Sequence, residues 1–189
     1  MKGKLFILSG PSGVGKGTVR EKILSDSNIN LTYSISMTTR TPRENEREGI
    51  HYYFVDKDYF EKAILNDEFL EHAKFVGNYY GTPKKKVDEL LDSGINVLLE
   101  IEVQGAKQVM EKCPEAITIF MVPPSFEELE KRIRGRRSEP EEIVQQRLSK
   151  ARKEMELKNN YKYVVVNDTV DNAGSAIIDI ILENTKQDN

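Results

Sequence analysis

An apolar run, Leu5-Phe6-Ile7-Leu8, meets the glycine-rich stretch Gly10-Pro11-Ser12-Gly13-Val14-Gly15-Lys16, and a helix-compatible segment follows. This order constrains the chain more than any other feature. The stretch matches the first seven positions of G-x-x-x-x-G-K-[ST], whose glycines let backbone N–H groups converge on phosphate oxygens at the positive end of a helix. Gly10, Pro11, Ser12, Gly13, Val14, Gly15, Lys16, Gly17 and Thr18 are therefore expected to seat the phosphates of a nucleoside triphosphate, with Lys16 reaching the β and γ groups. The eighth position is Gly17, and the hydroxyl of Thr18 comes one place late. A hydroxyl beside the lysine ordinarily ligates Mg²⁺, so the metal's protein ligands stay unassigned and phosphates and water are expected to hold it. Glu100, closing the apolar run Val97 to Ile101, is the acidic candidate on that side; a solvated strand end is the alternative.

Further apolar runs at Val97 to Ile101, Ile117 to Val122 and Tyr163 to Val166 alternate with helix-like stretches starting near Lys16, Gln104, Ser125, Glu139 and Asp171. Such alternation predicts an α/β fold, a parallel sheet with helices on both faces. Ser125 with Glu128 three residues on reads as a capping box. The stretch 34–94 is different in texture, rich in Tyr, Thr and charge. It reads as a mixed α/β insertion, with short strands around Tyr52 to Val55 and Phe69 to Val76 and helices near Asp58 to Leu65 and Pro83 to Leu91. One domain of 189 residues is expected, with core segments 1–33, 95–125 and 156–189, the insertion 34–94 and a helical lid 126–155.

Charge excludes one class of partner. Against 28 Lys and Arg stand 31 Asp and Glu, a net charge of −3, so no overall basic field exists to hold nucleic acid. No apolar run is long enough for a membrane span or a signal-peptide core. A lone cysteine, Cys113, and two histidines, His51 and His72, offer neither an internal disulfide nor a structural zinc site, and fit a cytoplasmic protein without a nucleophilic triad. Lys84-Lys85-Lys86 reads as a solvated helix start.

No Asn-Lys-x-Asp motif of the GTPase type is present; Asn167-Asp168 lacks the lysine. The chain resembles the guanylate kinase family along nearly its whole length, on motifs in fixed order. After the glycine loop these are Ser36-Met37-Thr38-Thr39-Arg40-Thr41-Pro42-Arg43, Gly49-Ile50-His51-Tyr52-Tyr53-Phe54, Phe69-Leu70-Glu71, Gly77-Asn78-Tyr79-Tyr80-Gly81-Thr82, Glu100-Ile101-Glu102-Val103-Gln104-Gly105 and Val165-Val166-Asn167-Asp168. The resemblance implies a P-loop kinase that moves the γ-phosphoryl of ATP to GMP, with Mg²⁺ accompanying ATP, and leaves open whether dGMP is also an acceptor. It implies that 34–94 binds GMP. Arg40 and Arg43 can present planar forks to the acceptor's phosphate, and Tyr52 and Tyr80 resemble the family's further phosphate contacts.

Guanine shows N1–H and N2–H donors beside the O6 acceptor. By resemblance Glu71 and Glu102 face the donors, while Ser36 and Thr82 carry hydroxyls, beside Gly81 in the same motif; position 102 is more often aspartate in the family. Sites built on such hydrogen bonds discriminate by about 10⁴ to 10⁵. Arg132, Arg136 and Arg147 match arginines that close over the triphosphate, where one arginine can be worth about 10³ to 10⁵ in rate; Arg137 stands where the family often has glycine. Asn167 and Asp168, following the last strand, are placed by resemblance near adenine. Two rival readings remain: a catalytically silent binding module of the same fold, and a P-loop kinase for AMP or a sugar phosphate.

Overall fold

The computed structural model describes residues 2–75, 77–135 and 140–186. Its main sheet has five parallel strands: β1 (Leu5–Ser9), β2 (Leu31–Tyr33), β7 (Asn96–Glu100), β8 (Ile117–Val122) and β9 (Tyr163–Val166), in the order β2-β7-β1-β8-β9. Side chains alternate across a strand, so β1 feeds two cores. Phe6 and Leu8 join the apolar faces of α1 (Lys16–Leu24), α5 (Phe126–Arg134), α6 (Glu141–Met155) and α7 (Val170–Thr185). Leu5 and Ile7 join those of α3 (Lys84–Asp92) and α4 (Val103–Lys112) on the other face. The helices cover both faces, as the alternating pattern requires.

A second sheet, β4-β3-β6-β5, is built from β3 (Met37–Thr38), β4 (Tyr53–Phe54), β5 (Phe69–Phe75) and β6 (Asn78–Pro83). The β3–β4 pair is parallel, whereas β3–β6 and β5–β6 are antiparallel. Under it α2 (Lys57–Leu65), capped by the Asp56 carboxylate on the Tyr59 N–H, buries Phe60 and Ala63 against Phe69. Phe60 stacks on Phe69 at 4.4 Å and on Tyr79 at 5.3 Å between ring centroids.

Three strands were not legible. β2 is three residues at a sheet edge and β3 is two, too short for any periodicity. β6 carries Gly81 and Pro83, residues that argue against a strand when read locally, and its pairing with β5 overrides them. The apolar face of α3 packs with the main core, so the insertion's own sheet and cluster span 37–83. Ser125 caps α5 by accepting the Glu128 N–H, but the Glu128 carboxylate turns to Arg132 at 3.5 Å. The expected helix start at Glu139 and the strand end at Val76 lie outside the described residues; α6 runs from Glu141.

Because the insertion's cluster is small, Phe60→Ala is expected to cost about 3–5 kcal/mol, the usual range for a buried aromatic. Denaturant unfolding measures this, and nucleotide titration should show the 37–83 side of the molecule weakened more than the glycine loop.

Candidate active site

The glycine loop runs from the end of β1 into α1, with Gly10, Gly13 and Gly15 all at positive φ. Gly15 caps α1 at φ 100°, and a Cβ there would stand 2.7 Å from the Asn167 amide nitrogen. Glycine is thus required twice over, by backbone conformation and by space. Asn167, buried at the end of β9, donates its amide to the Val14 carbonyl at 2.7 Å. Arg132 on α5 donates to the same carbonyl at 3.3 Å and to the Asn167 carbonyl at 3.1 Å. Arg147 on α6 reaches the Ser12 hydroxyl at 3.4 Å. The loop is therefore held in shape by side chains from three other elements.

The Lys16 ammonium donates to the Gly10 and Pro11 carbonyls, at 2.7 and 3.3 Å. Burial pushes its pKa below the ordinary lysine value, opposed by the carboxylates of Glu100, Glu102 and Glu154. A desolvated cation beside converging N–H groups is strongly stabilised by an arriving polyanion. Glu100 stands at the end of β7 and accepts from Arg20 at 2.8 Å, while Arg20 lies over the Tyr33 ring at 4.6 Å. A Cβ on Gly17 would point at the Glu100 carboxylate, 3.9 Å away. Thr18 is exposed on the next position of α1. No cluster of three or more His, Cys, Asp or Glu suited to a metal exists among the described residues. A single carboxylate beside the loop suits Mg²⁺, which keeps several waters and takes one or two carboxylates with substrate phosphates.

Across the site, the insertion presents a second cationic group. Arg40 forms a two-oxygen ion pair with Glu46, at 2.8 and 2.9 Å, and donates to the Thr41 carbonyl at 2.8 Å. Glu46 also accepts the Arg43 backbone N–H at 2.9 Å, leaving the Arg43 side chain exposed. The Glu46 carboxylate, and after it the Tyr80 hydroxyl, raises the Arg40 guanidinium above its already high value against the opposing effect of burial. Tyr52 packs edge-on to Tyr80 at 6.1 Å, with Arg40 over its ring at 5.6 Å. Arg40, Tyr52 and Tyr80 are thus gathered at one point.

Next to them lies a buried carboxylate. Glu71 on β5 is 7% exposed and accepts the Thr82 hydroxyl from β6 at 2.7 Å. Its other oxygen rests against the first turn of α4, where a Cβ on Gly105 would come within 2.7 Å. Only glycine admits the carboxylate there. Burial raises the Glu71 pKa, opposed by hydrogen bonds from Thr82. Gly81 adjoins Thr82 in the same strand, facing Phe60 and Phe69, and the half-buried Ser36 accepts the Tyr53 N–H on its carbonyl at 2.9 Å. Glu102 is the N-cap of α4, exposed, and pairs with Lys150 at 2.9 Å. Asp168 is also exposed and holds the start of α7 through the Thr169 N–H and the Asn172 amide. Arg136 lies outside the described residues.

Sequence reading missed Glu46, Arg20 and Lys150. Arg20 was within reach of it, four residues after Lys16 and so on the same face of α1. Glu46 sits in a turn where three arginines alternate with three glutamates between 40 and 48, and nothing local says which pair.

A family model described as guanylate kinase matches residues 2–184. Guanylate kinases of Mesoplasma florum and Mycoplasma mycoides are each 53% identical to the chain, over 96% and 95% of it. The chain spans 61% of the length of each. A crystal structure of guanylate kinase from Anaplasma phagocytophilum superposes with a TM-score of 0.77 at 34% identity, covering 99% of this chain and 88% of that one.

The raised Glu71 pKa fixes a sign. A carboxylate with a folded pKa above the ordinary value of 4.5 takes up its proton earlier on acidification, and a protonated Glu71 cannot accept from two donors of a ligand. Affinity for any ligand that donates to Glu71, with GMP as the calorimetric probe, should therefore fall as pH drops through a window above the usual glutamate range. For the same reason the charge opposes folding once pH exceeds 4.5, so Glu71→Gln should melt higher at pH 7. A lower melting temperature would contradict this assignment.

Proposed function

The chain belongs to the guanylate kinase family, and from that premise we propose that it transfers the γ-phosphoryl of ATP to GMP, giving ADP and GDP. The observation that carries the acceptor is Glu71. A carboxylate 93% removed from solvent, with a raised pKa and the neutral hydroxyl and backbone N–H of Thr82 as its partners, is costly to keep unless a ligand supplies donors. Guanine supplies two, N1–H and N2–H. AMP would oppose the carboxylate with a lone pair at N1, and the buried charge would go unpaired.

In this reading the loop 10–18 holds the ATP phosphates, with its backbone N–H groups and the start of α1 facing the anion and Lys16 moving from the loop carbonyls onto it. Asn167 serves that seat from behind through Val14, and Asp168 stands beside it at the start of α7. Arg40, Arg43, Tyr52 and Tyr80 receive the GMP phosphate. A guanidinium carries five N–H donors, so Glu46 can fix Arg40 and still leave donors for a phosphate. Ser36, Glu71, Thr82 and Glu102 frame the base. Glu100 is the carboxylate on the metal side, and Mg²⁺ arriving with ATP supplies neutralisation of the phosphate charge.

Phosphoryl transfer calls for alignment and positive charge, with the acceptor phosphate itself as nucleophile. Arg132 and Arg147 already stand on the loop, and with Arg136 they are assigned to the charge of the transferring group. Segment 126–155 closing over the site keeps water from competing as acceptor.

A silent binding module of this fold would have no use for a desolvated Lys16 beside a preformed glycine loop. A coupled assay of ADP release with ATP and Mg²⁺ separates the readings. GMP is expected to give turnover at least about 10⁴-fold above AMP in kcat/KM, with CMP and UMP as further controls. ADP release with GMP no greater than without acceptor would overturn the proposal.

A further inference from the structure

One face of α6 touches both halves of the site. Arg147 reaches Ser12 in the glycine loop at 3.4 Å, and Lys150, three residues on and so on the same face, reaches the Glu102 carboxylate at 2.9 Å. From that geometry we infer that Lys150 is a positioning residue, which holds Glu102 toward the guanine edge and so ties acceptor recognition to the helix that serves the phosphate donor. This rests on the reading of Glu102 as a guanine contact.

Lys150 is itself anchored from below. Glu154, one turn further along α6, is only 8% exposed, and one of its carboxylate oxygens stands 3.6 Å from the Lys150 ammonium. Its other oxygen is buried and has no hydrogen-bond partner among the described residues. A buried carboxylate so poorly paired holds a nearby cation firmly, which sets Lys150 apart from a freely swinging surface lysine. Glu102 has the opposite character. It occupies the N-cap of α4 without a side-chain capping bond, and its carboxylate is more than half exposed. Left alone, a glutamate there would sample many rotamers.

The ammonium engages Oε2 of Glu102, and among the described residues Oε1 has no hydrogen-bond donor, which leaves it to a ring donor. It also offsets repulsion between two neighbouring carboxylates, since the Glu102 charge works to raise the Glu71 pKa. Lys150 thus keeps Glu102 pointed. Loss of the lysine removes the hold but leaves both carboxylates in place.

The test is calorimetric titration of intact wild type, Lys150→Met, Lys150→Arg, Glu102→Ala and the Glu102→Ala/Lys150→Met double variant, with GMP and separately with a non-hydrolysable ATP analogue. Lys150→Met should weaken GMP about threefold to tenfold, the scale of one charge-assisted contact, and change analogue affinity by less than about twofold. Lys150→Arg should restore most of the loss, and Lys150→Met should have no further effect on GMP in the Glu102→Ala background. Equal losses for both nucleotides, unchanged GMP affinity, or a full Lys150→Met effect without Glu102 would each overturn the inference. Wild type that binds the analogue but not GMP would overturn the guanine reading and this inference with it.

Discussion

The Val14 carbonyl accepts the Asn167 amide at 2.7 Å and the Arg132 guanidinium at 3.3 Å, and the shape of the loop depends on that meeting. A loop with three glycines at positive φ has many conformations open to it in isolation. Here the end of β9 and the side of α5 converge on one carbonyl and select one conformation. Parallel strands make this possible, because β1, β8 and β9 all end on the same edge of the sheet. The shape of the loop is thereby set by the fold itself.

The insertion works on a different physical basis. Its own core is Phe60, Ala63 and Phe69 with the half-buried residues around them. That cluster supports two polar devices at its rim: the Arg40–Glu46 pair and the buried Glu71–Thr82 pair. The first aims a cation at an anionic group. The second keeps a carboxylate desolvated, at a cost in stability, where an apolar residue would be stable but mute. In the proposed reading, charge and hydrogen-bond polarity are what distinguish guanine from adenine.

Much of the core could be read from the sequence. Leu5–Leu8 and Ile117–Val122 are buried on both sides because helices cover both faces, so each stood out as a continuous apolar run; Tyr163–Val166, at the sheet edge, is equally continuous although Val164 and Val166 are exposed. β2, β3 and β6 did not, since tertiary pairing rather than local preference makes them strands. The candidate residues Lys16, Arg40 and Glu71 were found through motifs, but their partners were not. Glu46, Lys150 and the Arg20–Glu100 pair are meetings between segments 6 to 80 residues apart, and charge alone does not name a partner at that distance. Asn167 showed another such meeting: its amide reaches across 153 residues to the backbone of the loop, which its place after the last strand did not announce.

In the proposed reading two sites divide the labour, the donor's phosphates on the loop and the acceptor's identity on the insertion. Lys16→Met tests that division, with ATP-analogue and GMP affinity titrated on the same protein. The division predicts that analogue binding falls by at least about tenfold, as for the loss of a strong charge-assisted contact, while GMP affinity stays within about twofold of wild type. A parallel fall in both would contradict it, because the two sites would then be one.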